Sequence, residues 1–186
     1  MGIVNWFPVH GTALNNTVQL ISGDNKGAAS QLFEKHISKQ RESDGTSGFV
    51  AAFAQSNSGD VSPNTGGTYC IDTGLPCDTN TSTCNGRNEL CHGRGPGWPD
   101  SFKSSLIIGE RQFNKARELS ESKRDNTELT EEIDYRYIYV NVSDVVIENS
   151  NGSRRTCRPA MGYSFAAGTT DGNQQLVRSF RKLYIA

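Results

Sequence analysis

The sequence predicts an α/β fold built on a mixed or parallel sheet, with a disulfide-stapled loop inserted into it. Three observations predict it. An apolar segment, an amphipathic stretch and a second apolar segment follow one another within the first 54 residues, the order of a βαβ unit. Four cysteines then recur at intervals of seven, Cys70, Cys77, Cys84 and Cys91, in a stretch rich in Gly, Pro, Thr and Asn. Finally, 186 residues at 34% hydrophobic content give room for one ordinary domain with a modest core.

Ile3 to Val9 reads as a short strand running into the loop His10-Gly11-Thr12. Ser22-Gly23-Asp24-Asn25-Lys26 supplies capping oxygens ahead of a helix of about 14 residues. Ala29, Leu32, Phe33, His36 and Ile37 form its apolar face at helical spacing. Gly48 to Ala54 is a continuous apolar run of strand length, expected to be buried on both faces. Loops beyond the C-terminal ends of parallel strands carry chemistry, which directs attention to the turn from Asn57 to Asn64. After the cysteine loop, Asp100 or Ser101 caps a long helix with Phe102, Leu106, Phe113, Ala116 and Leu119 near one stripe. Residues 120–132 are charged and read as solvated. Tyr135 to Val142 alternates in the manner of a half-buried strand, which Val145 to Ile147 continues after a bulge. Asn149-Ser150-Asn151-Gly152 is a turn. No repeat, low-complexity tract or linker divides the chain.

Charge narrows the function classes. Lys and Arg number 19 against 20 Asp and Glu, a net charge of −1. That balance speaks against a basic nucleic-acid binder and against a disordered polyelectrolyte. No apolar run reaches the ~18 residues of a membrane span, and no cleavable signal opens the chain. Zinc cysteines usually come in pairs two to four residues apart, so six intervening residues favour disulfides over a metal cluster or reduced thiols. Four cysteines allow three pairings, and Cys157 is left over. Sequons at Asn15, Asn80, Asn141 and Asn151 add to the expectation of an oxidising, secretory route.

Three features could carry chemistry. His10 ends an apolar strand, where a neutral imidazole serves as metal ligand or base. Ser62 stands in Gly59-Asp60-Val61-Ser62-Pro63-Asn64, held extended by the following proline, yet outside any G-x-S-x-G elbow. Asp24-Asn25-Lys26-Gly27 reads most simply as a helix cap. His36, on a helix face, and His92, in the cysteine loop, read as structural or solvated.

In combination these stretches resemble the neutral ceramidase family. The resemblance is carried by Asn5-Trp6-Phe7-Pro8-Val9-His10-Gly11-Thr12, by Leu20 to Gly27, by Phe49 to Ala54, by Gly59 to Asn64 and by Cys157 to Thr169. It covers residues 3–172, so that 1–172 reads as a partial catalytic domain and 173–186 as a divergent C-terminal tail. The resemblance implies a zinc-dependent amidase that hydrolyses ceramide to sphingosine and a fatty acid at a membrane or micelle surface, secreted or on the extracellular face of the cell. On this pattern His10 is one zinc ligand and Ser62 the nucleophile, or, in an alternative scheme, a positioning group for an attacking water. The family's interlocked disulfides pair Cys70 with Cys84 and Cys77 with Cys91 and leave Cys157 as a free thiol. The family's other zinc ligands, a histidine upstream and a glutamate and tyrosine downstream, have no counterpart in this chain, and Ala13 replaces the usual serine after His-Gly-Thr. The chain alone is therefore expected not to hydrolyse ceramide. Two rivals remain: a metal-independent serine hydrolase using Ser62, His10 and Asp24, and a secreted, disulfide-stapled module without catalysis.

Overall fold

The computed structural model describes residues 1–15, 17–41, 48–59, 61–122, 128, 132–150, 152–158, 168–169 and 172–173. Strand β1 (Gly2–Phe7) pairs in parallel with β2 (Val50–Gln55), with Val4 opposite Ala52, and helix α1 (Asp24–Arg41) lies between them in the chain. This is the expected βαβ unit. The helix is longer than expected, 18 residues, because it starts inside its capping segment. Ser22 Oγ accepts the Asp24 N–H at 3.0 Å and Asp24 Oδ1 accepts that of Asn25 at 2.5 Å, so first-turn amides are satisfied early.

Helix α1 covers one face of the strand pair and the outer edge of β2. Phe33 is 2% exposed, stacked on Phe49 at 5.7 Å and edge-on to Phe113 at the same distance. The backbone of Ala51 faces away from β1 and finds its partners on the helix: its N–H donates to Glu34 at 3.1 Å and its carbonyl accepts from Ser30 Oγ at 2.5 Å. A sheet edge is thus closed by side chains. The run Gly48 to Ala54 is not buried on both faces as expected. Ala51 is buried, but Val50 is 62% exposed and Ala52 is exposed, matching Val4 and Trp6 on β1. Alternate residues point to opposite faces, and among the described residues helices pack against only one of them.

Helix α2 (Ser101–Glu121) is capped by Asp100, which accepts the Lys103 N–H at 3.0 Å, as expected. Its buried face differs from the expected stripe. Phe102, Leu106 and Leu119 are exposed, while Ser104, Ser105, Ile108, Gly109, Gln112 and Ala116 are buried. The cause is close approach to α1: a Cβ on Gly109 would stand 2.6 Å from Cβ of Ala28 and 2.9 Å from the Asn25 carbonyl oxygen. Small residues bring the helices together, and larger apolar side chains are displaced to the flanks.

The cysteine loop is framed by the antiparallel pair β3 (Thr68–Cys70) and β4 (Cys91–Gly93). Disulfides join Cys70 to Cys84 and Cys77 to Cys91, with S–S distances of 2.04 and 2.02 Å. All four cysteines are buried and, with Leu90 beside them, they are the loop's core. Sulfurs of Cys70, Cys77 and Cys84 lie within 4.8 Å of one another, but bonded into disulfides they offer no thiolate to a metal.

Tyr135 to Val142 is not a half-buried strand. Residues 132–141 have no ladder partner among the described residues, and Tyr135, Ile138 and Tyr139 are at least 80% exposed. Regular structure resumes in the hairpin β5 (Val146–Asn149) and β6 (Gly152–Arg155), closed at the expected turn. A two-residue pair, β7 (Gly168–Thr169) and β8 (Gly172–Asn173), ends the described chain. Much of Cys157 to Thr169 and nearly all of the tail 173–186 lie outside the described residues.

Candidate functional site

Two loops leave the C-terminal ends of the parallel strands, and a backbone hydrogen bond joins them. The His10 N–H donates to the Val61 carbonyl at 3.0 Å, which sets the residue before Ser62 against the His10 loop. Fifty intervening positions separate these residues in the chain, so the βαβ crossover is what brings them together.

Each loop has local reasons for its shape. Pro63 is buried, and the Asn64 N–H donates to Ser62 Oγ at 3.0 Å, a hydroxyl-capped turn that leaves Ser62 exposed. The Thr65 N–H returns to the Pro63 carbonyl at 2.9 Å and the Gly67 N–H to that of Asn64 at 3.1 Å. His10 is exposed as well, but its carbonyl is held from below by Asn25 Nδ2 at 2.9 Å. Asp24, whose φ of 49° places it in the left-handed region, binds the following stretch: its Oδ2 accepts the Leu14 N–H at 2.9 Å. With Oδ1 taking the N–H and Nδ2 of Asn25, that carboxylate is an anchor for backbone, not the orienting third member of a Ser-His-Asp set.

Beside the loops lies a groove of about 410 Å³, within the size range of small-ligand pockets. Trp6, Phe7 and Val9 form one wall, Ile108 and Ala116 of α2 the other, and Ser62 lies on its lining. Arg111 and Lys115 supply cationic groups along the α2 side. An apolar trough with a hydroxyl at its margin suits a ligand with a long hydrocarbon portion and a polar head.

Lys26 occupies the same end of the sheet. Its ammonium donates to the Phe7 carbonyl at 2.5 Å and the Ala54 carbonyl at 3.3 Å, bridging the last turns of both strands. Partial burial pushes its pKa below the ordinary lysine value, since desolvation disfavours the charged form.

The described residues do not by themselves complete a zinc centre. Catalytic zinc takes about three protein ligands. Among the described residues, Cys70, Cys77 and Cys84 are the only group of three or more His, Cys, Asp or Glu side chains close enough to share an ion, and His10 is not part of it. His36 packs edge-on to Phe113 at 5.7 Å and His92 lies against the Glu89 carbonyl, both remote in role from the two loops. Asn15, Asn80 and Asn141 are exposed, and Asn151 lies outside the described residues. Cys157 is a free, exposed thiol. Reading the sequence missed Gln112 and took Asn25 only as part of a helix cap. A polar pair at Asn25 and Gln112, each flanked by small or apolar residues one helical turn away, was the available signal.

A family model described as neutral/alkaline non-lysosomal ceramidase, N-terminal, matches residues 1–182. The chain is 52% identical to Neutral ceramidase A of Dictyostelium discoideum over 174 residues, covering 91% of this chain and 24% of that protein. It is 42% identical to Neutral ceramidase 2 of Arabidopsis thaliana over 228 residues, covering 92% of this chain and 30% of that protein. Against the Neutral ceramidase of Drosophila melanogaster it is 41% identical over 184 residues, with 92% and 25% covered. The chain thus spans between about a quarter and a third of the length of these curated relatives.

Proposed function

The chain belongs to the neutral/alkaline non-lysosomal ceramidase family, and from that premise we propose that it supplies the His10 and Ser62 loops of an amidase acting on ceramide. The reaction adds water across the N-acyl bond: the amide C–N bond breaks, the acyl carbon gains a hydroxyl, and the amine leaves as sphingosine beside a free fatty acid. The observation that supports this reading best is the contact between the loops. One hydrogen bond at 3.0 Å fixes Val61-Ser62 against His10, beside an apolar groove of about 410 Å³ that suits an alkyl chain.

In this reading Ser62 Oγ is the nucleophile that attacks the amide carbonyl, and the C–N bond breaks as the amine leaves with the serine's proton. Water then hydrolyses the acyl-serine ester to the fatty acid and the free hydroxyl. A hydroxyl is weak in this role unless activated, and the engagement of Asp24 with backbone amides argues against a metal-independent triad. Zinc dependence belongs to the same proposal. In it His10 gives one ligand, and among the described residues no group of three possible ligands includes it. The natural setting is a membrane or micelle surface outside the cell or in the secretory route, supported by the two disulfides and the exposed sequons.

The test uses a full-length family member carrying the Gly-Asp-Val-Ser-Pro-Asn motif, assayed with a fluorescent ceramide. Ser62→Ala should abolish turnover with folding and zinc content unchanged, since a hydrogen bond in an exposed turn is worth about 1 kcal/mol. His10→Ala should lower zinc content and activity together. Substantial activity in Ser62→Ala would make the serine a positioning group and water the nucleophile. Turnover that survives a strong chelator would overturn the metal assignment.

A further inference from the structure

Asn25 lies outside both loops, yet it is 0% exposed and every polar atom of its side chain is committed. Its Nδ2 donates to the His10 carbonyl at 2.9 Å and to Asp24 Oδ1 at 3.1 Å. Its Oδ1 accepts from Gln112 Nε2 at 3.0 Å, across 87 residues of sequence. A capping asparagine would turn its oxygen to free amides of its own helix. This one spends its donor on a loop and its acceptor on a second helix.

We infer that Asn25 is a positioning residue for the candidate site, holding His10, and through His10 the Ser62 turn, in register with the α1–α2 interface. The chain of contacts is continuous: Gln112 Nε2 to Asn25, Asn25 Nδ2 to the His10 carbonyl, and the His10 N–H to the Val61 carbonyl beside Ser62. Fixing the His10 carbonyl fixes the plane of the His10–Gly11 peptide, where glycine would otherwise leave the backbone free. Asp24 adds a second tether through the Leu14 N–H at 2.9 Å. Burying a primary amide at this point brings no packing advantage over leucine, and it is tolerated only because its bonds are made. The arrangement is therefore better matched to geometry of the loops than to stability. Gln112 Oε1, buried and without a hydrogen-bond partner among the described residues, marks the same network as one that accepts an energetic cost.

This inference rests on the reading that His10 and Ser62 act on one substrate, and its failure can be told apart from failure of that reading. In a full-length family member with the Gly-Asp-Asn-Lys motif, Asn25→Ala should lower kcat by about 100-fold with KM nearly unchanged, the scale of an ångström's misplacement. In the chain itself, the same substitution should speed amide hydrogen exchange at His10 by about tenfold or more while the β2 amides keep their protection. Asn25→Asp keeps the oxygen that Gln112 needs but not the donor to His10, so it should share the loss of kcat. If Asn25→Ala does not fold, Asn25→Asp carries the comparison. Wild-type kcat in the folded variant would overturn the inference, as would exchange that quickens evenly along α1 and α2. Undiminished turnover in Ser62→Ala and His10→Ala would instead overturn the reading beneath it.

Discussion

Gly109→Ala should destabilise the protein although it replaces glycine by the best helix former inside a 21-residue helix. Propensity alone would add about 1 kcal/mol of stability. The added methyl, however, would stand 2.6 Å from Cβ of Ala28, 2.9 Å from the Asn25 carbonyl oxygen and 3.1 Å from the Ala29 nitrogen. Carbon atoms in contact sit ~3.5–4.0 Å apart, so the helices must separate by about 1 Å. Two of those three neighbours are backbone atoms and cannot rotate aside, which puts the cost near the upper end of ~1–3 kcal/mol for overpacking. The same separation would stretch the 3.0 Å bond from Gln112 to Asn25 past useful length and forfeit about 1 kcal/mol more. The balance is a net loss of about 2–3 kcal/mol, read as a fall in melting temperature of roughly 5–10 °C for a chain of this size. Gly27→Ala is the companion measurement, since a Cβ there meets nothing within 4 Å and α1 should gain ~0.5–1 kcal/mol. Denaturant melts of the three proteins decide the matter. A neutral or stabilising Gly109→Ala would refute the close helix crossing and the explanation it gives for the buried face of α2.

Other expectations follow from the same structure. Peptide mapping without reductant should recover Cys70–Cys84 and Cys77–Cys91, and Ellman's reagent should find one reactive thiol, Cys157. Each crosslink closes a 14-residue separation, so replacing one pair by serines should destabilise the loop by about 3 kcal/mol in the chain-entropy account; four free thiols in oxidised material would contradict the fold of this loop. Lys26 has a folded pKa below its ordinary 10.5, so between the two values the unfolded chain binds more protons and stability should rise with pH. Lys26→Met should flatten that rise relative to wild type in denaturant melts from neutral to alkaline pH, and an unchanged slope would show that the ammonium is not desolvated. The 186-residue chain by itself should show no chelator-sensitive hydrolysis of fluorescent ceramide, because its described residues gather no three ligands at His10.

What could be read from the sequence was what local chemistry decides. The βαβ order, the Asp100 cap and the Asn149–Gly152 turn all depend on residues within a few positions of each other, and each stands where the pattern put it. Exposure was harder, because it depends on what covers an element and not on the element itself. Val50 and Ala52 have the composition of buried strand residues, and the alternation of Tyr135 to Val142 is that of a strand, but no described neighbour covers the first pair or pairs with the second. Apolar periodicity states which residues prefer burial; only partners grant it. The buried face of α2 failed for a different reason. Counting large apolar residues placed Phe102, Leu106 and Leu119 inside, whereas close helix contact selects small ones, and Gly109 decides the seam.

The site divides along the same line. His10 and Ser62 were legible because each ends a strand-and-loop pattern and each sits in a stretch that resembles a family motif. Their mutual placement was not, since it runs through the His10 N–H and the Val61 carbonyl, groups that every sequence possesses. Asn25 was visible only as a cap, because local rules assign asparagine at a helix start to the helix's own amides. Its actual partners are a carbonyl 15 residues back and an amide 87 residues on. A buried asparagine whose oxygen turns away from its own helix's amides is thus the physical mark of a tertiary task. Here that task joins three segments: the first strand's exit loop, the first turn of α1 and the middle of α2. Two of these segments, through Val9 beside His10 and through the Ile108 and Ala116 wall, also border the groove. Any shift of α2 against α1 must therefore move the groove and the His10 loop together, so the helix crossing at Gly109 and the geometry of the candidate site are one mechanical unit.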